Sequence, residues 1–434
     1  MRSILRFFDK SRAADTLVAE RAPEAPREAA APQAMLGAGS GAEGTPTSGL
    51  LVIETTLSAP EAVEAVLKVY LPGEGKAAYA KPVALTSEPQ RGWIAVHGHV
   101  LQNGPAKVRL ELATPAGQTL AERTLTLQVR NEGPLAEATR KSLAARGVPA
   151  VIDVCDAGLY DYEDEGLKAW FDRDPEAVEA HLAALKAAGR ADEAEIEALR
   201  HFVEEGYLVV PDAIDPKHLK RLNAALDDAV EKKVEGYEWG VSQRLHNLHL
   251  QYPAIKELWL HPNVLKLLNL IFDGTARPCQ SLTYVFGSEQ EYHQDTIHLT
   301  PFPAGRMCGV WTALEDVKPD SGELVVFPKS HRLPRVYMKT AGIKKVAEDW
   351  NEFGATVTPI WVDLLGNRFR REVYQPKAGT ILIWHENLMH GGSPRLDKSI
   401  SRRSIVGHYF AEGSVVYYDS SGMPGQIYEG ELPA

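Results

Sequence analysis

Two histidines and one aspartate in this chain have the types and spacing to hold a divalent metal. His293 and Asp295 flank Gln294 in the segment YHQD at 292–295, and His390 stands far downstream in the run WHENLMHGGSP at 384–394. Two imidazoles and a carboxylate occupy one face of an ion and leave the opposite face open, the arrangement of a non-haem Fe(II) oxygenase. If YHQD ends a strand, residues i and i+2 point the same way, so His293 and Asp295 reach one ion while Gln294 turns aside. The distant histidine then comes from a facing strand. Arg402 opens a later apolar strand, Ser404 to Phe410, where a guanidinium can grip a carboxylate through two parallel hydrogen bonds. An open metal face beside an anion clamp points to 2-oxoglutarate chemistry.

These side chains need a scaffold, and 434 residues are too many for one ordinary core, so two or three domains are expected. A formal charge of -11 argues against broad nucleic-acid or anionic-membrane binding. The three cysteines, Cys155, Cys279 and Cys308, are widely spaced with no CxxC pair, which fits a reducing, cytoplasmic setting. No apolar run is long enough to span a bilayer. The opening MRSILRFFDK is too short in its apolar part for a secretion signal and reads as a frayed tail.

Along the chain, residues 1–48 are rich in Ala, Pro, Glu, Gly, Ser and Thr and read as a disordered leader. Residues 49–131 carry short alternating segments (Leu51 to Thr56, Val66 to Leu71, Trp93 to Leu101, Val108 to Leu112, Thr124 to Val129), many bounded by turn signals such as Pro72-Gly73 and Asn103-Gly104. That texture predicts a small antiparallel β-sandwich. His97 and His99 lie two apart there without an evident third ligand, so a structural role is expected. Residues 132–192 read as a helical connector, with helices from Pro134 to Ala145 and Pro175 to Lys186. In 193–434, helices precede strands at Ser281 to Phe286, Met307 to Leu314, Gly322 to Phe327, Gly379 to Trp384 and Ser404 to Phe410. The expected fold is mainly β with helices, the last region being a jelly roll, or double-stranded β-helix, whose mouth holds the site.

Several segments in this region resemble the phytanoyl-CoA dioxygenase family of Fe(II)/2-oxoglutarate oxygenases: FVEEGYLVVP at 202–211, YHQD at 292–295, WTALEDV at 311–317, SGELVVFPKSH at 321–331 and HGGSP at 390–394, with Arg402 seven positions before Tyr409. The resemblance implies that His293, Asp295 and His390 are the iron ligands, that O2 is consumed, and that Arg402 holds the C5 carboxylate of 2-oxoglutarate. Arg403 is the competing choice, and alternation allows only one of the pair to face inward. Family position also implies that Gln280 and Trp311, and less directly Thr312, line the co-substrate pocket. His385 is the rival of His390, and the HGGSP context favours the latter. Three departures stand out: Lys329 replaces a common glycine, Val336 to Val373 is a long insertion, and a sandwich precedes the family region. None is expected to touch the ligands.

The family takes chemically varied substrates, so neither fold nor metal fixes this one. A small molecule is expected, with a glycan suggested by the added sandwich. Hydroxylation with release of succinate and CO2 is expected over halogenation, because Asp295 fills the position that resembling halogenases leave free. Arg244, His246 and His249 are further candidates to face a polar substrate; His298, His331, Arg306 and Lys329 have ordinary loop and surface roles as their alternatives. Two other classes remain open, a metal-dependent hydrolase on the same ligands and a binding protein without turnover.

Overall fold

The structure is a computed structural model that describes residues 34–40 and 43–433. Most of the expected leader lies outside the described residues. Its last part departs from expectation: Met35–Ser40 is a strand that pairs antiparallel with Leu50–Ser58. MLGAGS has no alternation to announce it, and it gains its order from the neighbouring edge.

That edge belongs to a sandwich of two four-stranded antiparallel sheets. One contains, in spatial order, Met35–Ser40, Leu50–Ser58, Gln90–His97 and the short Val151–Ile152; the other contains Tyr79–Leu85, Val63–Tyr70, Gly104–Ala113 and Thr119–Val129. The order is that of an immunoglobulin-like Greek key. Alternate residues of both sheets, among them Leu51, Ile53, Leu67, Val69, Val108, Leu110 and Leu127, close its core. Gly49 lies so near the second part of the chain that a Cβ would meet the Ser414 carbonyl at 2.5 Å. His97 and His99 are buried; the His97 ring meets Tyr160 edge-on at 5.9 Å.

Helices then accumulate on one side of a large sheet. Glu193–Glu205 starts at a capping box between Asp192 and Glu195, and Pro216–Glu231 starts with Asp215 accepting the Lys217 and His218 amides, the cheapest way to satisfy orphan donors at a helix start. Leu222 and Leu226, one turn apart, are fully buried on the inner face of the second helix.

The large sheet has six antiparallel strands in the order Leu245–His246, Ala276–Tyr284, Ser404–Ala411, Met307–Ala313, Ile381–His385 and Tyr207–Val210. A three-stranded sheet holds Glu372–Tyr374, Leu324–Val326 and His390–Gly392, and another holds Thr300–Phe302, Val415–Tyr418 and Met423–Pro424. From residue 276 onward the main strands alternate between the large sheet and the small ones, which makes a jelly roll. Period-two alternation sorts the large sheet's side chains: Val310, Ile381, Ile383, Ile405 and Tyr409 pack outward on the helices, while Trp311, Leu382, Trp384 and Val406 face inward.

The segment inserted after Val336 folds over the roll. Its helix Asn351–Leu365 buries Phe353, Val357, Trp361 and Leu365 against Ile297, Val325 and Met389. A buried carboxylate pins the start of this segment: Asp419 accepts the Met338 amide at 2.7 Å and the Ala157 amide at 2.9 Å, and it pairs with Lys345 at 2.6 Å. Asp419→Ala removes the acceptor of two amides and one partner of Lys345, which keeps Asp156 at 2.9 Å, a loss of about 3 kcal/mol. The expected fall in thermal midpoint is roughly 5–10 °C by scanning calorimetry, and an unchanged midpoint would show that the junction needs no such anchor.

Candidate metal centre and co-substrate cavity

His293 and His390 meet through their backbones. The His293 amide donates to the His390 carbonyl at 2.9 Å and the His390 amide donates back at 3.1 Å, an isolated antiparallel bridge. The expectation that YHQD ends a strand is corrected here, because His293 makes this one bridge and Asp295 opens a 3-10 turn through Ile297. Gln294 between them is extended, with φ -101° and ψ 136°, so side chains on either side of it still share a direction. The glycines after His390 let the bridge form. A Cβ on Gly391 would strike the Gln290 carbonyl at 2.8 Å, and one on Gly392 would strike the Glu289 amide at 2.7 Å.

The three side chains converge. Asp295 Oδ1 lies 3.6 Å from His293 Nε2, and Asp295 Oδ2 lies 3.8 Å from His390 Nε2. One ligand atom from each lies within 4.8 Å of the others, and among the described residues no other group of three His, Cys, Asp or Glu side chains does this. Each imidazole spends Nδ1 on a backbone carbonyl, His293 on Glu291 at 2.7 Å and His390 on Leu388 at 2.9 Å. That fixes the tautomer and turns both Nε2 lone pairs towards the common point. Burial pushes the Asp295 carboxyl up, and the imidazoles of His390, His293 and His408 outweigh it, holding the group well below the usual carboxylate range. Burial pushes His390 down to about 4, so its ring is neutral at physiological pH. A carboxylate and inward lone pairs form a donor set that suits a divalent ion of the Fe(II) type.

Trp384 completes the setting by donating its indole N–H to Asp295 Oδ2 at 2.8 Å. It fits because Gly309 lies beneath it, where a Cβ would come within 2.2 Å of the indole. His408 points Nε2 at the same oxygen from 3.7 Å, and its Nδ1 meets the Gln280 amide at 3.1 Å. Gln290 Nε2 lies 3.0 Å from His293 Nε2. Sequence reasoning missed His408, Trp384 and Gln290. His408 had a signal: positions 402, 404, 406 and 408 share one strand face.

The triad forms part of the wall of a cleft that opens to solvent. Gln280, Trp311 and Arg402 line it, as do Arg244, His246 and His298. Arg402 is buried, with its guanidinium carbon 5.6 Å from the Tyr284 ring centre and 5.5 Å from that of Trp311. Its Nε has no hydrogen-bond partner, and burial pushes its pKa down to about 10, which leaves it cationic at neutral pH. Arg403 points the other way, to Asp227 at 2.8 Å and Asn223 at 3.2 Å.

Other candidates fall elsewhere. Thr312 is buried but does not line the cleft. His249 stacks on Trp259 and bonds Ser281 at 2.8 Å. His385 faces Asp172, 3.6 Å away, and accepts the Asn387 amide. His331 packs against Gly206 and His385, and Arg306 donates to the Phe272 carbonyl. Lys329 sits at φ 70°, the left-handed backbone that favours glycine, and its ammonium pairs with Glu204 and Glu205. The insertion, expected to stay clear of the ligands, instead places Trp361 at 6.1 Å from the His293 ring, centre to centre.

The family model for phytanoyl-CoA dioxygenase (PhyH) matches residues 202–404. In this region, which carries the His-Asp-His triad and Arg402, the chain is similar to the phytanoyl-CoA dioxygenase family of Fe(II)/2-oxoglutarate-dependent oxygenases. It is 22% identical over 260 residues to a probable phytanoyl-CoA dioxygenase of Caenorhabditis elegans, covering 52% of this chain and 78% of that one. It is 21% identical over 268 residues to the human peroxisomal phytanoyl-CoA dioxygenase, covering 55% and 74%. Among solved structures it is similar to the non-haem α-ketoglutarate-dependent carbocyclase SnoK from nogalamycin biosynthesis, at 21% identity and TM-score 0.45 over 56% of this chain and 96% of that one. No helix among the described residues is long and apolar enough to cross a membrane.

Competition between His390 and His385 is settled by metal titration. His293→Ala and His390→Ala are each expected to weaken Fe(II) or Mn(II) binding by more than about 100-fold, whereas His385→Gln stays within about twofold in isothermal titration calorimetry. Equal losses at 385 and 390 would contradict the convergence described above.

Proposed function

We propose that this chain is an Fe(II)- and 2-oxoglutarate-dependent dioxygenase that hydroxylates a small-molecule or glycan-type substrate and releases succinate and CO2. The observation that carries the proposal is Arg402, a buried guanidinium that makes no ion pair among the described residues and walls the same cleft as the triad. Desolvating a cation without a counter-charge is costly. A ligand carboxylate is its natural complement, and the two-pronged geometry of arginine suits the distal carboxylate of 2-oxoglutarate. A hydrolase on the same ligands would have no use for this cation at that depth.

His293, Asp295 and His390 would hold the metal, and Arg402 would orient the co-substrate, with Gln280 and Trp311 along its path. When bound, Fe(II) with 2-oxoglutarate and O2 supplies the oxidising power to break an unactivated C–H bond. The chain's own work is positional. Trp384 fixes one oxygen of Asp295, backbone carbonyls fix the imidazole tautomers, and Trp311, Leu324 and Val406 limit water around the open face. Asp295 occupies the ligand position that a halide would need, which favours hydroxylation. None of the described residues of the sandwich is among those lining the cleft, and recruitment of a larger glycan is its task in this reading. The three cysteines are free, in keeping with a cytoplasmic setting.

The test is succinate release under air with Fe(II), ascorbate and 2-oxoglutarate, followed by incubation with a metabolite extract and a search for a mass gain of one oxygen. Asp295→Ala is expected to reduce succinate formation by at least about 100-fold, and wild-type rates in that variant would reject the assignment. Arg402→Gln is expected to raise KM for 2-oxoglutarate by about 100-fold, the loss of two charge-assisted bonds, while Arg403→Gln stays within about twofold.

A further inference from the structure

Four strands of the large sheet place one residue each in a single row beside Asp295. Gln280 pairs across the strands with His408, His408 with Gly309, and Gly309 with Trp384. Directly opposed residues share one face of a sheet, and Gln280, His408 and Trp384 all line the cleft. The first pair depends on an irregularity in the ladder. Pro278 opposes Tyr409, and the register then shifts by one residue, so that Gln280 opposes His408 rather than Gly407. A bulge of this kind re-aims a side chain.

The row converges on one oxygen. Trp384 donates to Asp295 Oδ2 at 2.8 Å, His408 Nε2 stands 3.7 Å from the same atom, and the two rings meet edge-on at 6.2 Å over the gap that Gly309 leaves. What His408 presents to that oxygen depends on which of its nitrogens holds the proton. The Gln280 side-chain nitrogen lies 3.1 Å from His408 Nδ1. An amide nitrogen only donates, so Nδ1 accepts, and the neutral ring carries its proton on Nε2, turned to the carboxylate. The opposite tautomer would set a lone pair against that oxygen. At 3.7 Å the N–H is a dipole aimed at the oxygen rather than a full hydrogen bond. His408 is not itself one of the three converging donors, which among the described residues are His293, Asp295 and His390.

We propose that Gln280 and His408 are positioning residues for the metal centre: Gln280 sets the His408 tautomer, and His408 with Trp384 keeps Asp295 Oδ2 turned to the protein, which leaves Oδ1 for the ion. This rests on the oxygenase reading of the cleft. It gives Gln280 a task at the metal in addition to its place along the path of the co-substrate. A carboxylate that gave both oxygens to the ion would take one of the open positions that co-substrate and O2 need. The row thus serves the open face as well as the ligand.

The test is calorimetric titration of the full chain with Mn(II), first without and then with 2-oxoglutarate. Gln280→Met, which keeps the length and loses the donor, and His408→Leu are each expected to weaken Mn(II) binding without co-substrate by about tenfold, the effect of losing a partner outside the ligand set. In the double variant the loss is expected to equal that of His408→Leu alone, because Gln280 acts only through His408. His408→Gln, whose amide nitrogen can stand where Nε2 stands, is expected to bring the affinity back to within about threefold of wild type, a recovery that a role in packing would not give. Wild-type affinity in either single variant, additive losses in the double variant, or no recovery in His408→Gln overturns the proposal. Failure of the wild type to bind Mn(II), or to bind 2-oxoglutarate once Mn(II) is present, overturns the oxygenase reading instead, so the two failures are told apart within one titration series.

Discussion

The reciprocal backbone pair between His293 and His390 is the constraint on which the site depends. Side chains can swing, but two peptide groups that exchange hydrogen bonds at 2.9 and 3.1 Å fix their Cα atoms to within a few tenths of an ångström. The imidazoles then need only the right tautomer, and the Glu291 and Leu388 carbonyls set it. The pair exists because Gly391 and Gly392 leave room for the 289–291 backbone to cross. HGG is therefore a steric requirement of the candidate metal centre as much as a sequence signature.

A second constraint, alternation along the large sheet, decides which of two adjacent residues serves the site. It sends Arg402 inward and Arg403 to Asp227, and Trp311 into the cleft while Thr312 stays outside its lining. Period two, a property of strand geometry that needs no tertiary context, said only that one of the two arginines faces inward; the preference for Arg402 and for Trp311 came from the family resemblance. Local patterning did make the jelly roll's main strands and the capped helix starts legible. His408 lay on the same face as Arg402 and was overlooked because it belongs to no motif. Gln290 and Trp384 gave no such signal, since their roles come from where the chain crosses and from a glycine on a neighbouring strand.

What the sequence concealed shares a physical character. Tyr79–Leu85 is an edge strand with Pro82 in it and only Leu85 buried, so neither alternation nor composition marks it. Met35–Ser40 is ordered by its partner strand and by the sandwich core, in which Ala38 is buried. Asn351–Leu365 contains Gly354, Pro359 and several β-branched residues, a poor helix by propensity. Its four large buried side chains supply what propensity lacks, since tertiary packing contributes more than propensity to the stability of most helices in proteins.

That poor helix bears directly on the metal centre through Gln294, the residue to which the ligand motif gives no role. Turned away from the cleft and fully buried, its amide donates to the Pro334 carbonyl at 3.1 Å. Its carbonyl oxygen accepts the Val336 amide at 3.3 Å and the Trp361 indole at 3.2 Å. All three partners lie just before, at or within the insertion. The same extended backbone that aims His293 and Asp295 at one point thus aims Gln294 at the added segment, and the side chain can satisfy its buried polar groups only if that segment is docked. Trp361 stands beside both His293 and His298, so undocking would remove packing from a ligand and hydrogen bonds from the residue next to it. The insertion is consequently part of the support of the ligand triplet, and Asp419, which pins the start of the segment, acts on the centre through it.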